Sequence, residues 1–204
     1  MTDKFKDMNG VLLRGHIKIT DPASGEVLID KRNAIHYENM SIALAESLAS
    51  AGQGPIYKMA FGNGGTSVDP TGIITYLTPN STGSNASLYN QTFEKIVAVD
   101  PNNTDPVRNK IETRHVSGTN YTDILVSCLL DYGEPSGQDA FDTASDTESL
   151  YVFDELGLVS SAAGTGTGKL LTHVIFHPVQ KSLNRLIQID YTVRVQSLTG
   201  FNEA

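Results

Sequence analysis

The sequence predicts a mainly β protein, an antiparallel β-sandwich with one packed amphipathic helix in its N-terminal half. Three observations carry this. The second half is strand after strand, separated by turns. The composition is globular but turn-rich, with 39% hydrophobic residues, 19% charged residues and 18 glycines in 204 positions. Only one segment has a helical period, so the chain lacks the alternating strand-helix-strand order of a parallel, nucleotide-binding sheet. The whole chain, 1–204, reads as a single domain with an extended loop or arm at 66–90.

Taken in order, VLLRGHIKITDPASGEVLIDK alternates Leu13, Ile17 and Ile19 against Arg14, His16 and Lys18. It then turns through Asp21 to Gly25 into a second strand, Glu26 to Asp30, which makes an early hairpin. In IHYENMSIALAESLASAGQG, Met40, Leu44 and Leu48 recur every four residues, so a helix is expected from about Tyr37 to Ala51, with Gly52 as its stop. A short strand follows, Ile56 to Phe61, and runs into the glycine turn Gly62, Gly64 and Gly65. The stretch from Thr66 to Asn90 is polar and turn-rich apart from Ile73 to Leu77, as befits a surface loop or an arm ordered by a neighbour. Six strands are expected after it: FEKIVAVD, NKIETRHVS, YTDILVSCLLDY, LYVFDELGLV, KLLTHVIFHPV and NRLIQIDYTVRVQ. The last places Ile187, Ile189, Tyr191, Val193 and Val195 on one face, as a half-buried antiparallel strand requires. In the third, Leu125 and Leu129 make both faces apolar, which predicts a strand with neighbours on either side.

The net charge of −8 is spread along the chain and favours solubility over a phosphate-binding surface. Cys128, the only cysteine, reads as a small buried hydrophobe. No apolar run approaches the roughly 20 residues of a membrane span, and the start MTDKFKDMNG has no signal-like apolar region, so a cytosol-like place of synthesis is expected.

The stretches that invite a chemical reading mostly fail on spacing. GTGTGK resembles a phosphate loop, but Ala163 stands at the first glycine position, Leu170 follows Lys169 where a hydroxyl is needed, and a strand-like segment follows. A flexible loop joining two strands is expected. His173 and His177 have the spacing of a helical metal pair, yet on a strand they stand roughly 13 Å apart, and His16, His36 and His115 are scattered. The acidic run Asp142, Asp146, Glu148, Asp154 and Glu155 could supply paired carboxylates for a hydrolase but is expected to be a solvated loop. Asp100 to Asp105 has calcium-like residue types without the loop's glycine and distal glutamate, and a turn is expected. No residue is assigned a catalytic, cofactor-binding or metal-binding role.

What remains is an order of short motifs: KRNAIHYENM, Phe61-Gly62-Asn63-Gly64-Gly65, Leu88 within SLYNQTFEKIV, Glu155-Leu156-Gly157-Leu158, a Gly-rich loop, Lys181, and Tyr191-Thr192-Val193. From about Lys31 to Gln196 this order resembles virion structural proteins of tailed bacteriophages, particularly the small β-sandwich proteins of the neck, collar and tail in contractile-tailed phages. The resemblance implies a non-enzymatic component of the phage particle that oligomerises around the head–tail junction. It implies as partners copies of itself in a ring and other virion proteins such as connector, tail or fibre proteins, with no cofactor, no direct nucleic-acid contact and no membrane span. The implied location is the virion, after synthesis in the host bacterial cytoplasm. Alternatives are a baseplate or tail-fibre-associated protein, or a carbohydrate-binding host-attachment module, the latter weakened by the absence of tryptophan.

Overall fold

The computed structural model of the chain describes residues 10–83, 85–136, 150–162 and 168–198. Two five-stranded antiparallel sheets face each other. The first is built from β1 (Gly10–Thr20), β2 (Val27–Arg32), β8 (Lys110–His115), β9 (Tyr121–Leu130) and β12 (Ile187–Leu198), in the order β2-β1-β12-β9-β8. The second is built from β3 (Ala34–Ile35), β4 (Ile56–Gly62), β7 (Gln91–Ile96), β10 (Leu150–Ser160) and β11 (Thr172–Ser182), in the order β3-β11-β10-β4-β7. A small hairpin, β5 (Thr66–Val68) with β6 (Ile74–Tyr76), and one helix, α1 (Tyr37–Leu48), complete the described elements. The expected β-sandwich with one helix is therefore the fold, and all six strands of the second half form.

The alternation read from the sequence sets the packing. Ile187, Ile189, Tyr191 and Val193 are buried together with Ile17 and Ile19 of β1 and with Val126, Cys128 and Leu130 of β9. Against them the second sheet sets Met59, Phe61, Tyr151, Phe153, Leu156, Leu158, Val174 and Phe176. The Phe153 ring meets Phe61 and Phe176 edge-on, with centroids 5.5 and 5.7 Å apart, a favoured aromatic geometry. β9 lies between β12 and β8, so it has a neighbour on either side as expected.

The helix begins where expected, and His36 caps it by accepting from the Asn39 amide through Nδ1 at 3.2 Å. It ends three residues earlier than the periodicity suggests, and Gly52 is not its stop. Ser50 takes φ +52°, its amide donates to the Ser47 carbonyl and the Ala51 amide donates to the Glu46 carbonyl. That pair of bonds is a Schellman closure with serine in the left-handed position usually held by glycine. Met40 and Ala43 pack with Leu171, flanked by Leu13, Leu44 and Ile56, so the helix closes one end of the sandwich over residues from both sheets.

Candidate functional site

The phase of β10 changes in its middle. Tyr151 and Phe153 face the core, then Leu156 and Leu158 do, and the pairing with β11 shifts register between Phe153 and Glu155. This bulge puts two consecutive carboxylates, Asp154 and Glu155, on the outer side of the second sheet. Both are buried, at 3% and 0% exposure, so the expectation of a solvated loop fails for this pair. Asp142, Asp146 and Glu148 lie outside the described residues.

Burial is tolerated because every oxygen is met by donors. Glu155 Oε1 accepts from the amides of Gly64 at 3.1 Å and Asn90 at 2.8 Å. Its Oε2 accepts from the Tyr89 amide at 3.0 Å and from His173 Nε2 at 2.9 Å. The other ring nitrogen, His173 Nδ1, accepts from the Asn80 amide at 2.8 Å, which fixes the tautomer with the proton on Nε2. Asp154 Oδ1 accepts from the Gly65 amide at 2.9 Å, and Oδ2 accepts from the amide and hydroxyl of Thr66. Burial pushes the Glu155 carboxyl up, but the bonds from His173 and the Asn90, Tyr89 and Gly64 amides outweigh it and hold the group below its ordinary range. At Asp154 burial wins, with the neighbouring Glu155 charge adding to it, and the carboxyl is raised despite the bonds from Thr66 and Gly65.

These bonds fasten the stretch 63–90 to the chain's own sheet. Leu88 packs on Ala60, Val159 and Leu170, and the Tyr89 ring lies against His173 with centroids 5.7 Å apart. The glycines of the preceding turn make the close approach feasible. A Cβ on Gly62 would fall 2.4 Å from the Asn90 carbonyl oxygen and 2.5 Å from Glu155 Oε1, and one on Gly64 would fall 2.7 Å from the Asn90 nitrogen. The polar stretch is thus ordered intramolecularly, and within it the apolar interruption at Ile73 to Leu77 supplies β6. In chemical terms, a glutamate and a histidine that could exchange a proton are here committed to four main-chain amides and to each other.

The remaining sequence candidates fall at separate places. His177 is exposed, with Nδ1 3.3 Å from the Tyr76 hydroxyl, so it and His173 bond to different partners. His16 pairs with Asp30 at 2.7 Å, and His115 approaches the Tyr121 carbonyl at 3.0 Å. Asp100 Oδ1 accepts from the Asn102 amide at 2.8 Å, which makes the expected turn. Among the described residues no group of three or more His, Cys, Asp or Glu side chains is placed to hold a metal ion, and no helix is long and apolar enough to cross a membrane. Ala163 and the first four residues of GTGTGK, 164–167, lie outside the described residues. The flanking Lys169 is paired, its amide donating to Ser160 Oγ at 3.0 Å and its carbonyl accepting from the Ser160 amide at 2.9 Å. β11 follows, so the lysine leads into a strand where a phosphate loop leads into a helix.

Sequence reading missed one cluster altogether. On the outer face of the first sheet a groove of 590 Å³ is lined by Arg14 and His16 of β1, Arg32 of β2, Arg114 of β8, Tyr121 and Asp123 of β9, and Arg194 of β12. Four of the chain's six arginines therefore share one groove in an acidic protein. Cross-strand register places Arg14 opposite Arg194, Arg194 opposite Asp123, and Asp123 opposite Arg114. Arg194 takes both oxygens of Asp123, Nε to Oδ1 at 2.7 Å and Nη2 to Oδ2 at 2.9 Å, and lies 3.8 Å over the Tyr121 ring. That guanidinium holds the Asp123 carboxyl below its ordinary range. The alternation of β1 and β12 had placed Arg14 and Arg194 on the polar face, but only strand order brings them together.

Fold and contacts together define a two-sheet antiparallel sandwich whose long loop is locked to the outside of one sheet and whose other sheet carries an arginine groove. Compared with family models, curated proteins and solved structures, the chain matches none.

Proposed function

We propose that the chain is a non-enzymatic structural component of a tailed-phage particle, a neck or collar protein that forms a ring with copies of itself and contacts other virion proteins. One observation carries the reading. The motifs whose order resembles virion proteins are far apart in sequence, yet three of them meet at one point of the fold. The turn Phe61 to Gly65 supplies the Gly64 and Gly65 amides, Leu88 packs beside the adjoining Tyr89 and Asn90, and Glu155 to Leu158 supplies the carboxylate and the strand they rest on. A motif order that corresponds to one structural lock supports a shared architecture more strongly than scattered matches do. The commitment of the buried Glu155–His173 pair to main-chain amides also fits a building block.

The test is the protein content of purified particles, by mass spectrometry and by labelling with antibody for electron microscopy. Label at the head–tail junction is the expected result. Recovery of the chain only from the infected-cell lysate would sink the proposal, and label at the baseplate would move the chain to the other end of the tail.

A further inference from the structure

We propose that the arginine groove on the outer face of the first sheet seats a second copy of this chain, which enters with its acidic side, so that copies add head to tail. The proposal deepens the ring reading above and rests on it.

The groove is electrostatically incomplete by itself. Arg14 and Arg194 stand directly opposite each other on neighbouring strands, a like-charge placement that costs stability unless an anion lies between or beside them. Asp123 answers Arg194 with both oxygens, and Arg114 on its other side shares that single carboxylate only at longer range. Among the described residues Arg14, Arg32 and Arg114 form no ion pair, and all three are exposed. Adjacent strands are about 4.8 Å apart, so the row from Arg14 to Arg114 spans roughly 15 Å, which suits an extended partner bearing several carboxylates. Guanidinium forks bind carboxylates in pairs of parallel bonds, which gives such a contact register as well as attraction.

Charge complementarity names the partner. The four arginines and Asp123 give the groove a formal charge of +3, which leaves −11 on the rest of a chain whose total is −8. From His115 to Gly168 the sequence has no lysine or arginine, and from Gly133 to Ser149 it has Glu134, Asp139, Asp142, Asp146 and Glu148. That base-free stretch follows β9 beyond Leu130, the strand end opposite the one where Tyr121 lines the groove. Beyond Leu130, then, the sequence runs into a stretch that carries carboxylates and no lysine or arginine, and the bases at that end of the sheet, Arg108, Lys110 and Arg185, are each already paired with a carboxylate. An acidic segment of one copy entering the arginine groove of the next is a heterologous contact, the kind that closes into rings.

The experiment uses the full chain and the equal-charge variants Arg14→Glu and Lys169→Glu, the second lying in a different groove. Sedimentation velocity is run at about 20 mM and about 500 mM salt, conditions that lengthen and shorten the screening distance. The expected result is wild-type association at low salt that disperses at high salt, at least about tenfold weaker self-affinity in Arg14→Glu, and little change in Lys169→Glu. Equal association of wild type and Arg14→Glu overturns the proposal, as does a wild-type monomer at both salt concentrations. A wild-type monomer retained on a heparin column through Arg14 also overturns it, because the groove then takes a foreign polyanion. Particle content is scored separately. Chain present in particles with Arg14-independent association sinks the groove alone, and Arg14-dependent association by a chain absent from particles sinks the virion reading alone.

Discussion

Replacing Glu155 by glutamine would test the lock between the long loop and the second sheet. The wild-type carboxylate is fully buried and accepts four hydrogen bonds, two at each oxygen. Glutamine keeps one oxygen and turns an NH₂ group toward two donors, so two buried bonds are lost. At about 1–3 kcal/mol for each unsatisfied buried group, the variant should be less stable by about 2–5 kcal/mol. Its pH dependence follows from the direction of the shift. The folded-state carboxyl lies below its ordinary value of 4.5, so its contribution is present above that value and is lost as pH falls through the lower folded value. Asp154, raised from 3.8, has the opposite sign: its contribution is present below 3.8 and is lost as pH rises through the raised folded value. Urea unfolding of wild type and Glu155→Gln at neutral pH should show the full gap, and the gap should close in acid. Hydrogen exchange at Gly64, Tyr89 and Asn90 should quicken in the variant at neutral pH. A stability within about 0.5 kcal/mol of wild type, with unchanged exchange at those amides, would refute the reasoning.

Three further outcomes are expected. Ser50→Gly should stabilise the protein by roughly 0.5–1 kcal/mol in thermal unfolding, because glycine takes the left-handed position at the helix end without strain; a lower melting temperature would argue against the Schellman closure. Gly62→Ala should lower stability by about 2–4 kcal/mol in urea, since the added methyl meets the Asn90 carbonyl and Glu155, and a neutral result would show that the turn can shift. Cys128 is fully buried and its thiol is pushed up to about 12, so the native protein at mildly alkaline pH should not react with a thiol-colouring disulfide until denaturant is added. Prompt colour from the native protein would contradict its burial.

Which side of a strand faces the core was legible where the alternation is clean, as in β12, and where both faces are apolar, as in β9. The start of α1 was legible from its four-residue period. Its end was not, because the stop uses serine in a conformation that composition associates with glycine. The lock was hidden for a related reason. A bulge changes strand phase over one residue, and nothing in DELG announces that an aspartate and a glutamate will both turn outward and be buried under a loop from far earlier in the chain. The arginine groove required strand order, which depends on pairing between distant segments rather than on the local sequence. Each arginine, taken on its own strand, is an ordinary polar-face residue.

The pairing of β1 with β12 has a consequence for how the chain acquires its structure. Gly10 is in register with Leu198, and β12 sits between β1 and β9 at the centre of the first sheet. During synthesis the early hairpin and β9 emerge long before the strand that joins them, so the inner faces of both wait with their isoleucines and leucines uncovered. A sheet whose central strand lies so far along the sequence from its neighbour β1 forms through non-local pairing, which is slow, and must be protected from premature edge-to-edge pairing in the meantime. The polar outer face of β1, with Arg14 and Lys18 both cationic, would discourage such early self-recognition until β12 arrives.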